Sequence, residues 1–291
     1  MNKPTSLPDL SAALADLVAR LAPSAVAIHS DRSRSSGFVW RPGLIVTADE
    51  SLSEEGAFSV TLQGGDTMAA HLVGRDPTTD IALVRVEADL LPFSLTASPV
   101  AAGALVLAVG AEDGTSTAAL GVVSRASGPW RSLRGGAIDA RIELDLRLRQ
   151  SSEGGLVVDA AGAAIGMAVF GPRRRVLVIP TATIERVAPK LAAHGRIARG
   201  YLGLGLQPVT VEGGEGSGAM IMSVDPQGPG AQAGLHQGDI LVEWNGEAIR
   251  HVQSLLRALG PDSVGKTVTL GLRRAGDTQR VPLRIAERPA A

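Results

Sequence analysis

The chain has no cysteine among its 291 residues, which excludes disulfide staples and thiolate chemistry and leaves the redox compartment open. Aromatic residues are scarce, 3% against 45% hydrophobic residues overall, so a core has to be built from Val, Leu, Ile and Ala. An excess of either charge is missing too. Lys plus Arg number 28 against 29 Asp plus Glu, a net charge of −1, which leaves no basic field for nucleic acid or an anionic membrane surface. The run Arg173-Arg174-Arg175 reads as a solvated loop. Long hydrophobic runs are also lacking. The longest uncharged stretch, Leu90 to Ala111, is interrupted by Pro92, Ser94, Thr96, Ser98 and Pro99, whereas a membrane span takes about 18 to 20 apolar residues in a row.

No signal-peptide pattern opens the chain. The segment "LPDLSAALADLVARLAPSAV" is broken by Asp9, Asp16 and Arg20 and suits an amphipathic helix. The chain as it stands is therefore expected in the cytoplasm, or in the periplasm if a leader has been removed. No zinc-type spacing of His and Cys is present, and no cofactor is expected.

What is present reads mainly as β structure. Leu10, Leu14, Leu17 and Leu21 recur at helical spacing and predict a short helix over residues 8–21, ended by Pro23. From there to about residue 180 the signal is strands. "GFVWRPGLIVTA" predicts two around Pro42-Gly43, "FSVTLQGGDTMAAHLVGRD" two around Gly64-Gly65, and "DIALVRV" another. Further short strands are expected at "ALVLAVG", "ALGVVSR", "AIDARIEL", "GLVVDAAGAAIGMAVF" and "RVLVIP". Residues 183–194 predict a helix capped by Thr181 or Thr183, kinked at Pro189 and closed by Gly195. "GRIARG" reads as a linker to a second β-rich unit.

That second unit contains "YLGLGL" followed by "GPGAQAGLHQGDILVEWNGEAI", a short helix, a Gly-Asp turn and an Asn-Gly turn in fixed order. The string resembles a PDZ domain. The resemblance implies that Tyr201, Leu202, Gly203 and Leu204 hold a terminal carboxylate on successive backbone N–H groups, and that an extended peptide pairs with the adjoining strand. Leu255 and Leu259, on a helix from about Gln253, are candidates for the side-chain pocket or for plain core packing.

With the preceding strands, nearly the whole chain, from about residue 8 to 286, resembles the HtrA (DegP-like) serine proteases. "SSGFVWRPGLIVTA" is similar to the family's opening hairpin, "VGRDPTTDIALVRV" to the segment with its catalytic aspartate, "GGLVVDAAGAAIGM" to the stretch after its nucleophile and "VLVIPTATI" to its pocket segment. The implied fold is a chymotrypsin-like double β-barrel followed by a PDZ domain. Expected boundaries are an N-terminal segment at 1–24, the double barrel at 25–195, a linker at 196–200, the PDZ domain at 201–286 and a tail at 287–291.

The family carries a His-Asp-Ser triad, with serine in a Gly-Asn-Ser-Gly-Gly-Pro loop. Asp80 falls on the aspartate, while Glu50 stands where the histidine is expected. In "RQSSEGGLVVD" the doublet Gly154-Gly155 sets the register and puts Glu153 at the serine. Ser151 takes the place of an oxyanion-loop glycine, with a Cβ where glycine permits unusual backbone angles, and Leu156 replaces the proline. Serine protease chemistry needs an oxygen nucleophile, an imidazole and oxyanion donors. Losing one triad member costs about 10⁴ to 10⁶ in rate.

Two functions follow from different classes. One is a proteolytically inactive protein that binds peptides or protein C-termini through the PDZ domain, as an adaptor or chaperone. The other is an endopeptidase with a rearranged site using Ser152. That would need the loop to slip by one residue and a base other than the five histidines, of which His29 and His71 lie on ordinary strand faces and His194, His236 and His251 lie elsewhere. The family resemblance also implies a homo-trimer or association with an active paralogue, although residues 1–24 contain no aromatic residue for such contacts.

If the fold holds, Glu50, Asp80 and Glu153 share one cleft. At about 5 Å and an effective dielectric of about 20, each pair repels by roughly 3 kcal/mol. Relief is expected from Arg147, Arg149 and Arg173 to Arg175, from proton uptake by one carboxyl, or from a hard cation such as Ca²⁺, Mg²⁺ or Mn²⁺.

Overall fold

A computed structural model describes residues 6–30, 33–53, 57–96, 99–210 and 217–289. Residues 1–5 of the expected N-terminal segment and 290–291 of the expected tail lie outside the described residues. The chain divides into two compact units, Met1–Leu133 with Ala137–Ile197, and Arg134–Gly136 with Ala198–Ala291.

Helix α1 (Leu7–Leu21) opens on a capping box, in which Ser6 Oγ accepts from the Asp9 N–H and Asp9 accepts from the Ser6 N–H. Its leucine stripe divides. Leu17 and Leu21 are buried in the core, while Leu7 and Leu10 remain exposed.

Strands β1 (Ala25–Ser30), β2 (Ser33–Arg41), β3 (Leu44–Thr47), β4 (Phe58–Thr61), β5 (Thr67–Asp76) and β6 (Ile81–Arg85) close a barrel in the order β1-β2-β3-β6-β5-β4. The sequence reading did not single out β1. It joins the barrel by pairing with β2 and β4. A second barrel is built from β7 (Leu105–Glu112), β8 (Thr115–Ser127), β11 (Arg141–Asp145), β12 (Leu156–Asp159), β13 (Ala164–Phe170) and β14 (Val176–Pro180), in the order β11-β14-β13-β12-β7-β8. A short pair, β9 (Trp130–Arg131) and β10 (Ala137–Ile138), precedes β11.

One core joins the barrels. Phe38, Val46, Ile81 and Leu83 of the first pack with Leu107, Val109, Leu156 and Met167 of the second. Fully burying such side chains contributes about 1.5–3 kcal/mol each, which fixes the barrels and the crevice between them.

Helix α2 (Thr181–His194) adds Ile184, Val187, Ala188 and Leu191 to that core. Its start differs from expectation. Pro180 is the N-cap and Thr181 and Thr183 lie within the helix, because Thr183 Oγ1 is engaged by Asp139, donating to the carboxylate at 2.7 Å and accepting the Asp139 N–H at 3.0 Å. The helix continues through Pro189, and Gly195 closes it at φ +71°.

The second unit comprises β15 (Gly200–Tyr201), β16 (Leu204–Thr210), β17 (Ser217–Val224), α3 (Pro229–Gln232), β18 (Ile240–Trp244), β19 (Glu247–Ala248), α4 (Val252–Ala258), β20 (Thr267–Arg274), β21 (Asp277–Arg284) and β22 (Ala286–Glu287). Its sheet runs β16-β17-β18-β20-β21, with β19 on β18, and β15 pairs with β22. Leu202, Ile221, Leu235, Leu241, Leu255 and Leu270 are among its core residues.

Candidate functional site

Three loops bring the aligned carboxylates together. Glu50 lies in a one-turn 3₁₀ segment, Asp49–Ser51, that follows β3. Asp80 ends the loop before β6. That loop is shaped by Asp76, whose carboxylate accepts from the Thr78 N–H at 3.1 Å and the Thr79 hydroxyl at 2.7 Å. Asp80 adopts φ +57°, a left-handed conformation that Asp tolerates better than most residues, and its Oδ1 accepts the Glu50 N–H at 2.8 Å. Neighbouring Asp49 is buried and paired with Arg75.

Glu153 follows a 3₁₀ turn, Gln150–Ser152, and is 4% exposed. Its Oε1 accepts the Phe170 N–H at 3.0 Å and its Oε2 accepts from Gln150 Nε2 at 2.8 Å. Its own N–H donates to the Gln150 carbonyl at 3.1 Å and is spent on closing the turn. Its carbonyl accepts the Ser36 N–H at 2.8 Å. Ser36 Oγ in turn donates to the Ser151 carbonyl at 2.7 Å, and Thr47 Oγ1 donates to the Ser36 carbonyl, also at 2.7 Å. The β2–β3 hairpin thus clamps the loop.

The electrostatics follow from this enclosure. Burial is the largest cause that raises the Asp80 pKa to about 8, helped by the negative charges of Glu50, Glu153 and Asp49 and opposed by the Glu50 N–H. Glu153 is also raised, by burial first and by Glu50, against the Phe170 N–H, Arg174 and Gln150. For Glu153, the expected arginine pairing needs correcting. Arg149 faces Glu112 at 3.6 Å and Arg175 faces Glu143 at 3.5 Å, and Arg174 acts on Glu153 only through its field. The Phe170 N–H and the Gln150 amide hold Glu153, and burial with the neighbouring negative charges favours the protonated form of Asp80.

The cation option for Glu50, Asp80 and Glu153 is also corrected. Among the described residues, no group of three or more His, Cys, Asp or Glu side chains is arranged to hold a metal ion, and each Glu153 oxygen accepts from an N–H donor.

Ser152 Oγ lies 2.9 Å from Thr117 Oγ1 and Ser152 is buried. His29 Nε2 sits 3.1 Å from Thr61 Oγ1, and His71 is exposed on β5. Ser151 does not show the anticipated strain, because it lies inside the 3₁₀ turn and the left-handed position falls to Gly154 at φ +83°. Thr117, Ser36, Thr47 and Gln150 went unmarked in the sequence. No motif points to Thr117, Ser36 or Thr47, whose roles come from barrel register, whereas Gln150 stands three residues before Glu153, one 3₁₀ turn away.

In the second unit, Gly203 takes φ +70°, and a Cβ there would lie 2.9 Å from Gly228 Cα. The Leu202 carbonyl accepts the Gly230 N–H and the Gly203 carbonyl the Asp225 N–H, each at 2.8 Å. Tyr201 Oη donates to Asp225 at 2.9 Å. β16, starting at Leu204, lies at the end of the sheet order, and α4 packs beside it. Leu255 is corrected as a pocket residue, since it is 1% exposed and packs in the core. Leu259 is half-buried against that core, and its carbonyl accepts the Gly200 N–H at 3.1 Å.

The chain matches the trypsin-like peptidase domain family over residues 35–167 and the PDZ domain family over 200–285. It is 33% identical over 273 residues to a probable periplasmic serine endoprotease DegP-like of Bartonella henselae, covering 88% of this chain and 53% of the relative. A Brucella suis relative of the same description is 31% identical over 275 residues, with 88% and 53% covered. The chain thus spans about half the length of these relatives. Among solved structures, the serine endoprotease from Yersinia pestis matches at a TM-score of 0.70 and 27% identity, covering 99% of this chain and 100% of that one. The HtrA-type protease AlgW with decapeptide matches in fold at a TM-score of 0.72 and 22% identity, covering 95% and 99%. Among the described residues, no helix is long and apolar enough to cross a membrane. In sequence, fold and domain order, the chain belongs to the HtrA/DegP-type proteins, a trypsin-like peptidase domain followed by one PDZ domain.

Proposed function

We propose that this chain is a proteolytically inactive member of its family that captures peptides or protein C-termini through its PDZ domain, serving as an adaptor or chaperone. Glu153 carries the reading. Aligned with the nucleophile, it is buried and held at both carboxylate oxygens, by the Phe170 N–H and by Gln150. An acyl-transfer site needs an attacking oxygen and free donors at that point. Here a carboxylate fills the space and the Glu153 N–H is already bonded to Gln150. Ser152, the serine next to Glu153, is bonded to Thr117.

The PDZ half of the reading rests on the loop from Tyr201 to Leu204, pinned through its carbonyls, and on the edge strand β16 beside α4. Such a loop supplies N–H groups to a carboxylate, and such an edge accepts one more strand. A homo-trimer, or assembly with an active paralogue, would raise avidity for clients through several PDZ domains. The periplasm, where the DegP-like relatives are named as residing, is the compartment that suits this role.

Two assays on the same preparation test the proposal. Fluorescence anisotropy should show binding of a peptide with a free C-terminus and about tenfold or more weakening when that terminus is amidated. Casein should remain intact and a fluorophosphonate probe should leave the protein unlabelled. Casein turnover that is abolished in Ser152→Ala would overturn the reading and establish a rearranged endopeptidase.

A further inference from the structure

The second barrel has an open cavity of about 350 Å³ where β14 runs into α2. It lies at the other end of β13 from the carboxylate cluster. Ile165, near the start of that strand, lines the cavity, whereas Glu153 is bonded at Phe170, the last residue of the strand. Val100, Ala126 and Ala140 are half-buried around the cavity and give it apolar walls with surface open to a ligand. Its volume falls at the lower end of the range that small molecules occupy in proteins.

Polar groups converge on one side. Pro180, Thr181 and Ala182 line the cavity there, which places the start of α2 against it. Pro180 is the N-cap, and no side chain caps the helix. The opening N–H groups of a helix have no carbonyl within the helix to bond, and together with the helix dipole they favour an anion.

Thr181 is a second and independent sign. It is 3% exposed, yet its hydroxyl has no hydrogen-bond partner among the described residues. Thr183 shows the contrast, since its hydroxyl donates to Asp139 at 2.7 Å and accepts the Asp139 N–H at 3.0 Å. A buried hydroxyl left unpartnered is unfavourable, and an acceptor in the cavity relieves that cost. Asp139 is the one charged residue among those lining the cavity. Its carboxylate is matched by Arg186 at 2.8 Å, so the pair adds no net charge.

We infer that this cavity binds a small aliphatic carboxylate. The ligand's oxygens accept from the opening N–H groups of α2 and from Thr181 Oγ1, while its hydrocarbon covers Val100, Ala126 and Ala140. Inorganic phosphate has no apolar part for those walls, and an amide lacks the charge that the helix terminus favours. The site belongs to the first unit and stands independently of the peptide-binding reading for the second.

The test titrates isovalerate into the isotope-labelled full chain and follows backbone amide signals by NMR. Saturable shifts should appear at Ser127, Ala182 and Thr183, with a dissociation constant on the order of millimolar. Isovaleramide should bind about fivefold or more weakly, because a charge-assisted hydrogen bond becomes a neutral one. Thr181→Val should weaken isovalerate about three- to tenfold without lowering the melting temperature, since the lost hydroxyl had no protein partner. Ala182→Glu puts a carboxylate at the same helix terminus and should weaken isovalerate about tenfold or more, while a PDZ peptide binds both variants as before. Absence of shifts at the three named amides, or shifts confined to the loop from Tyr201 to Leu204, overturns the site. Unchanged affinity in either variant does the same. Equal binding of acid and amide overturns the carboxylate assignment, and tighter binding of inorganic phosphate overturns the aliphatic one.

Discussion

The Phe170 N–H donates to Glu153 Oε1 at 3.0 Å across the gap between β13 and the loop ahead of β12. This bond fastens a side chain aligned with a nucleophile to the backbone of its own barrel. Converting Glu153 to serine therefore removes the obstruction without supplying a reaction. On the proposed reading Glu50 still stands where an imidazole is required, and the position-153 N–H remains bonded to the Gln150 carbonyl. We expect Glu153→Ser to remain unlabelled by a fluorophosphonate probe. The double variant Glu50→His/Glu153→Ser should label slowly, about 10² or more below an intact triad with a formed oxyanion hole. Rapid labelling of the single variant would show that the protein possesses a base other than one at position 50.

Asp80 gives the fold a definite pH dependence. An ordinary aspartate titrates near pH 3.9, whereas burial, with Glu50, Glu153 and Asp49 nearby, carries Asp80 to about 8. Between these values the folded chain holds a proton that the unfolded chain has released. Stability contributed by this group is complete below about pH 4 and falls as pH rises towards 8. Asp80 keeps partial solvent contact, so screening reduces the loss to about 1–2 kcal/mol at pH 8. Asp80→Asn retains an acceptor for the Glu50 N–H and cannot ionise. Its melting temperature should match the parent at pH 5 and exceed it by a few degrees at pH 8. A parent curve that rises from pH 5 to 8 while the variant curve stays flat would contradict this assignment.

Gly154 is the conformational hinge of the same loop. At φ +83° it lies in the region glycine occupies freely, and a Cβ there would run into the Ser36 carbonyl oxygen and come within 2.6 Å of Thr47 Oγ1. Both atoms belong to the clamp from β2 and β3. Gly154→Ala should therefore destabilise the chain by about 2–4 kcal/mol in urea unfolding. Gly103→Ala, also at positive φ but with nothing near its Cβ, should cost about 1 kcal/mol. Equal losses at the two positions would mean that the clamp around residue 154 yields easily.

Much of this was readable from residue order, for physical reasons that differ by element. The hairpins around Pro42-Gly43 and Gly64-Gly65 were legible because turn residues separate short apolar runs, and β2–β3 and β4–β5 form there. β1, "AVAIHS", lacked such punctuation and went unmarked, since its role is set by partners in β2 and β4. The family register set Glu50, Asp80 and Glu153 in one cleft, and in the structure the charges of both glutamates act on Asp80. How their charges are relieved was not legible. The sequence showed arginines close by along the chain, but the Phe170 N–H and Gln150 occupy the Glu153 oxygens, and only the register of β13 against the loop determines that. Leu255 is similar. Helical spacing gave its face without saying whether that face meets the groove or the core.

Pro208 should set a length limit on any peptide that adds to the β16 edge. It lies in β16 opposite Ala219 and has no N–H. Proline is accommodated in an edge strand with its missing donor turned away from the sheet, here towards the arriving peptide. Backbone groups alternate along a strand, so Leu204, Leu206 and Pro208 present the same edge. The register shift in this pair skips Met222, a residue of β17, and leaves the alternation in β16 intact. A peptide adding to this edge finds donors at Leu204 and Leu206 and none at 208. Its ladder therefore stops after the terminal three or four residues. Isothermal titration should show little gain when a ligand is lengthened from four residues to eight. Pro208→Val should restore one bond, worth about 0.5–1.5 kcal/mol or two- to tenfold, for the eight-residue ligand and leave a tripeptide unaffected. An equal gain for both lengths would mean that the substitution acts on the loop from Tyr201 to Leu204, with no peptide strand reaching residue 208.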